Sequence, residues 1–183
     1  MAKVNGGQLI EKVFEKEGVK YIFGIPGGHI YPMMEACDEA GIKFIGTRSE
    51  MNAAFMAEGW AFATGKPGVC TGTAGPGATN LLTGVANAYV NQAPLIAVGG
   101  KARVCEYESN QLQDFNTMDV FKATTKYARQ IPDGNRIPEY FLPNAPVYMF
   151  HSEEDDTVPF LNSQILQKQF RDLGFLTLTP INV

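Results

Sequence analysis

Apolar positions in the first hundred residues alternate between helical spacing and short buried runs. The runs predict strands over residues 20–25, 43–46, 68–73 and 95–98. Helical spacing predicts helices over residues 7–17, 29–40, 50–63 and 77–90. Such alternation is typical of a doubly wound α/β fold, with a mostly parallel sheet and helices on both of its faces.

The pattern changes after residue 130. Four of the eleven prolines fall within residues 131–146, where long helices cannot form. We therefore predict one domain over residues 1–130, a proline-rich connection over 131–144 and a tail over 145–183. The tail shows a strand pattern at 147–151, an amphipathic helix at 161–172 and a strand pattern at 175–179, so we expect it to complete the sheet.

Composition and charge exclude several classes of function. Net charge is −4, with 15 basic and 19 acidic residues in a chain of 183, and no basic stripe is present. Binding to nucleic acid or to an acidic membrane surface is therefore not expected. No apolar run approaches the roughly 20 residues that span a bilayer. The three cysteines lack metal-ligand spacing, so we expect reduced thiols, no metal site and a cytoplasmic location.

The candidate chemistry lies around residues 70–80, where a strand pattern stops at Gly75-Pro76-Gly77 and a helix pattern begins. In open α/β sheets, ligands bind at the carboxyl ends of strands. Glu50 begins the preceding helix pattern and should enter beside this turn. A glutamate at a helix start can also be explained by the helix dipole alone.

An ordered set of motifs supports a more specific interpretation. The motifs are FGIPGGH at 23–29, TRSE at 47–50, AAFMAEGWAFATGKPGV at 53–69, TAGPGATN at 73–80, ANAYVNQAPLIAVGG at 86–100, NQLQDFN at 110–116 and TK at 125–126. Together they resemble the N-terminal, pyrimidine-binding domain of thiamine-diphosphate enzymes such as acetolactate synthase, benzaldehyde lyase and 2-hydroxyacyl-CoA lyase. The resemblance covers about the first 130 residues.

The resemblance implies catalytic roles for three residues. Glu50 matches the glutamate that hydrogen-bonds N1′ of the cofactor's aminopyrimidine and so promotes loss of the thiazolium C2 proton. An apolar pocket would disfavour the charged form of its carboxyl and help it share a proton with the ring. His29 matches an acid–base histidine of the lyase branch, and Gln113 matches a glutamine that faces the substrate. A structural histidine and a solvated loop glutamine remain the alternatives.

The same resemblance implies that thiamine diphosphate is bound through its pyrimidine end. The residues expected to line it, besides Glu50, are Thr73, Gly75, Pro76, Gly77 and Asn80. Gly75, Pro76, Gly77 and Asn80 should shape the crevice rather than react. The Gly27-Gly28 turn lacks dinucleotide and Walker spacing, so a phosphate cradle is not expected there.

Two departures from the family pattern affect the functional interpretation. Ser49 replaces the histidine that usually precedes the glutamate, and no Gly-Asp-Gly motif is present in the sequence. In the family that motif belongs to a separate domain, which holds the diphosphate and Mg²⁺. We therefore expect half of a cofactor site in a carboligase or lyase acting on 2-oxoacids or 2-hydroxy ketones. A subunit of a heteromeric decarboxylase and a non-catalytic module are the alternatives.

The resemblance also implies partners: a diphosphate-binding domain or subunit, and a second copy of the chain. Residues 53–57, with Gly59 and Trp60, are small and apolar enough for close contact between helices. Burial of this face in the domain's own core is the alternative.

Residues 145–174 of the tail resemble the late segment of a different family, the α/β-hydrolases. Residues 151–159 match a strand end that would make Asp155 a triad acid. However, the chain has no Gly-x-Ser-x-Gly and no histidine after His151, so a triad cannot be assembled in the hydrolase order. We expect a structural tail and a solvated acidic loop over residues 153–156. A fused or misassembled reading frame and a deliberate chimera remain possible origins.

Overall fold

The computed structural model describes residues 5–102, 112–114, 116–131 and 147–152. Its strands are β1 (Tyr21–Gly24), β2 (Lys43–Gly46), β3 (Gly68–Gly72), β4 (Leu95–Lys101), β5 (Tyr127–Ile131) and β6 (Val147–Ser152). They form one sheet in the order β2-β1-β3-β4-β6-β5, and every neighbouring pair is parallel. The doubly wound α/β prediction is confirmed.

The helices cover the predicted positions with two breaks. They are α1 (Gly6–Lys16), α2 (Tyr31–Glu39), α3 (Glu50–Thr64), α4 (Pro76–Asn80), α5 (Leu82–Val90) and α6 (Met118–Lys122). The helix predicted over 29–40 begins instead as a 3₁₀ turn, Gly28–Ile30, because Pro32 has no N–H to donate and starts α2 near Tyr31. The helix predicted over 77–90 is interrupted at Leu81.

Two apolar layers cover the two faces of the sheet. Ile22 of β1 and Val69 of β3 pack with α1 and α2, whereas their neighbours Phe23 and Cys70 pack with α3, α5 and α6. Successive strand side chains point to opposite faces, so each strand serves both layers. The layer containing α3 is rich in fully buried alanines, which brings its helices close to the strands.

Strand β6 lies between β4 and β5, with Val147 opposite both Ile96 and Tyr127. The strand predicted over 147–151 is therefore present, one residue longer. The expected helix over 161–172, the strand over 175–179 and Asp155 lie outside the described residues, as does the connection from 132 onward.

The contact between α1 and α2 contains a buried carboxyl, Glu11, which leads to a pH-dependent prediction. Its side chain is 5% exposed, and its Oε1 has no hydrogen-bond partner among the described residues. Desolvation raises the pKa of Glu11, as do the charges of Glu15 and Glu39, whereas Lys12 opposes the shift. The native fold thus binds this proton more tightly than the unfolded chain does.

We expect Glu11→Gln to stabilise the protein increasingly as pH rises. A group with a raised native pKa contributes stability below its unfolded pKa of about 4.3 and loses that contribution as pH rises through the native value. Urea unfolding of both proteins at about pH 4 and about pH 7 measures the difference. The exposed Glu15→Gln variant is the control, and a stability gain equal at both pH values would contradict the account.

Candidate functional site

The site lies where the winding of the sheet reverses. From β1 the chain crosses to β2 on one side, and it then returns to β3 on the other side of β1. In open α/β folds, ligands bind at such a switch point, at the carboxyl ends of the strands on either side of it. The residues after β1 carry His29, and those after β3 carry Thr73 and the Gly75-Pro76-Gly77 turn.

Glu50 is the first residue of α3, which follows β2. It is 8% exposed, and its Oε2 accepts a hydrogen bond from Asn80 Nδ2 at 3.1 Å. Its Oε1 has no hydrogen-bond partner among the described residues and lies 3.4 Å from where a Cβ on Gly77 would be. One carboxylate oxygen is thus held by the protein, and the other lies beside a glycine.

Glycine is required on this turn for two reasons. Gly75 has a φ of 62°, which L-residues adopt at a cost. A Cβ on Gly77 would lie 2.7 Å from Thr73 Cγ2, which real contacts do not allow. Pro76 then occupies the first turn of α4, where its missing N–H costs nothing. The turn itself contributes no titratable side chain to this edge of the sheet.

His29 and Thr73 join the two strand ends directly. His29 Nδ1 lies 3.1 Å from Thr73 Oγ1, so this hydrogen bond orients the imidazole and leaves Nε2 without a partner among the described residues. Gly100 lets β4 approach, because a Cβ there would lie 2.6 Å from His29 Cβ. Strand β4 continues to Lys101, rather than ending at 98 as predicted, because Gly99, Gly100 and Lys101 pair with the last three residues of β6.

Gln113 lies against the glycine turn. A Cβ on Gly75 would lie 2.6 Å from the Gln113 carbonyl oxygen and 2.9 Å from its Cβ. Gln113 itself has a φ of 63°, an uncommon conformation for a non-glycine residue. The structure therefore brings Glu50, Asn80, Thr73, His29 and Gln113 to one edge of the sheet, linked through Gly75 and Gly77.

The family described as "Thiamine pyrophosphate enzyme, N-terminal TPP binding domain" matches residues 4–120. The chain belongs to this family. The resemblance seen in the motifs is thereby confirmed over most of the described residues. Membership in a thiamine pyrophosphate enzyme family implies that thiamine diphosphate is the cofactor.

Curated relatives extend the match beyond the family domain. The chain is 41% identical over 138 residues to a probable acetolactate synthase large subunit of Methanocaldococcus jannaschii, covering 75% of this chain and 23% of that protein. It is 39% identical over 127 residues to 2-hydroxyacyl-CoA lyase 2 of Danio rerio, covering 69% and 20%. It is 36% identical over 135 residues to acetolactate synthase isozyme 2 large subunit of Escherichia coli, covering 74% and 25%.

This thiamine pyrophosphate enzyme domain thus spans a quarter or less of the length of these relatives. The described part of the chain contains no group of three or more His, Cys, Asp or Glu side chains able to hold a metal ion. No helix among those described is long and apolar enough to cross a membrane.

Sequence reasoning missed one pair in this thiamine pyrophosphate enzyme domain. Lys101 and Asp114 form an ion pair with side chains only 9% and 5% exposed. The sequence signals were a lysine that ends a buried strand and an aspartate that follows Gln113, but nothing in the spacing indicated that they meet.

A second buried carboxylate, Glu58, lies farther along α3. It accepts hydrogen bonds from Asn87 Nδ2 at 2.8 and 2.9 Å and from Asn91 Nδ2 at 2.9 Å. Both of its oxygens accept hydrogen bonds from α5 or from the residue after α5, so Glu58 joins α3 to α5. Glu50 differs from it, because one Glu50 oxygen has no hydrogen-bond partner among the described residues.

Proposed function

We propose that this chain binds the aminopyrimidine end of thiamine diphosphate, with Glu50 Oε1 as the hydrogen-bond partner of ring nitrogen N1′. The observation that carries the proposal is that the two oxygens of the Glu50 carboxylate have different hydrogen-bond surroundings. Asn80 holds Oε2, whereas Oε1 meets no donor of the described residues beside Gly77. The residue as a whole is 8% exposed, and a carboxylate oxygen in such surroundings gains from a hydrogen bond, which a ligand donor at this position would supply.

We propose that the pyrimidine ring lies beside the glycine turn next to Glu50. A Cβ on Gly75 or Gly77 would collide with Gln113 or Thr73. Glycine at these positions therefore lets the turn pack closely against Gln113 and Thr73 beside Glu50. We propose that Thr73, Gly75, Pro76, Gly77 and Asn80 form the crevice for this ring.

His29 and Gln113 occupy the substrate side in this proposal. The Nδ1 nitrogen of His29 is engaged by Thr73, which leaves Nε2 to give or take a proton at a substrate oxygen, as suits an imidazole near neutral pH. The Gln113 side-chain amide can donate to a substrate carbonyl or hydroxyl. When bound, thiamine diphosphate supplies the carbanion-stabilising chemistry.

The remaining cofactor contacts come from a partner in this proposal. A diphosphate-binding domain or subunit would hold the diphosphate and Mg²⁺, since the chain lacks Gly-Asp-Gly. The assembled enzyme would make or cleave carbon–carbon bonds in 2-oxoacids or 2-hydroxy ketones, and the names of the relatives support this class. We propose residues 1–130 as the pyrimidine-binding domain, 131–144 as a connection and 145–183 as a tail that completes the sheet.

A cytoplasmic location is also proposed. Cys37 and Cys70 are buried free thiols, and burial raises the pKa of the Cys37 thiol to about 12. Buried, protonated thiols are compatible with a reducing compartment.

Calorimetry tests the proposed function directly. Thiamine diphosphate with Mg²⁺ is titrated into the chain alone, and then into the chain mixed with a diphosphate-binding domain that carries Gly-Asp-Gly. We expect weak or no heat from the chain alone and saturable binding with the partner. No binding in either titration would overturn the proposal and favour a non-catalytic module, whereas activity gained only with a separately encoded partner would identify a heteromeric subunit.

The outward face of α3 is the proposed contact with a second copy. Ala53, Ala54 and Ala57 are fully buried in the domain's own core, which corrects the expectation that these alanines form the contact. The exposed apolar side chains of α3 are Met51, Phe55, Met56 and Phe62. By their spacing Met51, Phe55 and Phe62 share one side of the helix, and exposed apolar groups of this kind mark interaction surfaces.

We expect Phe62→Glu to weaken self-association, because Phe62 is 60% exposed and a charge there would have to be desolvated in a helix–helix contact. Sedimentation velocity across a concentration series measures the effect. The control is Ala40→Glu, an exposed position after α2 in the other helical layer. A wild-type monomer at every concentration would rule out this face as a pairing surface.

A further inference from the structure

We propose that the Lys101–Asp114 ion pair is a latch that holds Gln113 against the crevice, which makes Lys101 and Asp114 positioning residues. The role assigned to Gln113 in substrate contact depends on the proposed function. The latch itself is a statement about the conformation of residues 112–114 and can be tested without any cofactor.

The first step is the burial of both charges. The Lys101 side chain is 9% exposed and that of Asp114 is 5% exposed. Removing an ammonium and a carboxylate from water is costly, and pairing of the two offsets part of that cost. The pair therefore resists separation, so Asp114 and its chain neighbour Gln113 are held close to the end of β4.

The second step is the strain next to Asp114. Gln113 has a φ of 63°, in the left-handed region that a glutamine adopts at a cost. Strained residues persist only where their surroundings over-determine them. Gly75 packs on one side of Gln113, and Asp114, the next residue along the chain, is held by Lys101. These two contacts fix the segment at adjacent points.

The third step links the latch to the rest of the site. Lys101 follows Gly100, whose missing Cβ allows contact with His29. The end of β4 thus sets the position of His29 through Gly100 and that of Gln113 through Lys101. A shift of this strand end would move both candidate substrate contacts together.

The test is the backbone conformation of Gln113, measured by ¹³C and ¹⁵N chemical shifts of the full chain without cofactor. In the wild type we expect Gln113 chemical shifts typical of the left-handed conformation. In Lys101→Met and Asp114→Asn we expect these shifts to move towards the averaged values of an extended backbone. The matched control is Lys122→Met, which breaks the exposed Lys122–Asp119 pair and should leave Gln113 unchanged. Left-handed shifts that persist in both latch variants would overturn the proposal.

A second measurement covers variants that fold poorly. In Gln113→Gly the left-handed conformation costs nothing, so breaking the latch releases no strain in that background. We expect Lys101→Met to lower the urea midpoint more in the Gln113→Gly background than in the wild type, where relief of strain at Gln113 offsets part of the loss. An equal loss in the two backgrounds would show an ion pair that stabilises the fold without positioning Gln113.

Failure of the latch and failure of the proposed function give different results. If thiamine diphosphate does not bind but the Gln113 chemical shifts change in the latch variants, the latch is supported and the cofactor assignment is wrong. If the cofactor binds with the partner domain and the Gln113 shifts do not respond, only the latch is wrong. With both correct, Lys101→Met should raise the substrate KM more than it weakens cofactor binding, and Lys101→Arg should recover part of the loss.

Discussion

Replacing Glu50 with glutamine is expected to lower thiamine-diphosphate-dependent turnover of the partner-assembled protein by about 10²- to 10⁴-fold, the usual contribution of a positioned acid–base group. A glutamine fits the same space and can still accept the Asn80 hydrogen bond at its oxygen. It places an NH₂ where Oε1 stands, and this group cannot hold a shared proton with a ring nitrogen. The fold should be retained, because the change is isosteric.

The matched control is Glu58→Gln, the same substitution on the same helix. Glu58 accepts amide hydrogen bonds on both oxygens, so a glutamine NH₂ there faces an asparagine NH₂. We expect a stability loss of about 1–3 kcal/mol for one unsatisfied buried group and normal turnover per folded molecule. The two variants should thus separate function from stability, and unchanged turnover in Glu50→Gln would remove the catalytic assignment.

The largest stability effect is expected at Gly68, the first residue of β3. A Cβ there would lie 1.9 Å from the Ala57 carbonyl oxygen and 2.5 Å from the Ala57 carbonyl carbon. Backbone of α3 cannot move aside as a flexible side chain can, so Gly68→Ala must separate the helix from the strand. We expect a loss of about 3 kcal/mol or more in the free energy of unfolding, at the upper end of overpacking costs.

Urea unfolding measures this loss, with Gly46→Ala as the control in another strand. Nothing lies within 4 Å of a Cβ on Gly46, so we expect a change of about 0.5 kcal/mol or less, as for most surface substitutions. Similar stability of the Gly68 and Gly46 variants would show that α3 does not lie on β3 at the described distance.

The sequence predicted the alternation of strands and helices because apolar spacing reports burial directly. Glycines also located two helix ends, since Gly18 and Gly41 follow α1 and α2 with φ values of 70° and 77°. Strand β5 was not predicted, because the residues of Tyr127–Ile131 do not alternate regularly between apolar and polar side chains. Its pairing with β6 depends on a partner strand sixteen or more residues away along the chain, which local patterns do not encode.

The candidate site was also predictable only in part from the sequence. Its residues could be named from motifs, and the carboxyl ends of parallel strands predicted that His29 and Thr73 would lie near each other. Side-chain partners could not be predicted, because they depend on rotamers and on distances of a few tenths of an ångström. The pairing of Asn80 with one oxygen of Glu50 is such a case, and the buried pair of Lys101 and Asp114 is another.

The most direct test of the account is the ¹⁵N resonance of thiamine diphosphate labelled at N1′ and bound to the chain with its diphosphate-binding partner. We expect the resonance to move towards the protonated position in the wild type and in Glu58→Gln, and to remain at the position of the free cofactor in Glu50→Gln. A resonance that is the same in the wild type and in Glu50→Gln would contradict a contact between this carboxylate and the pyrimidine ring.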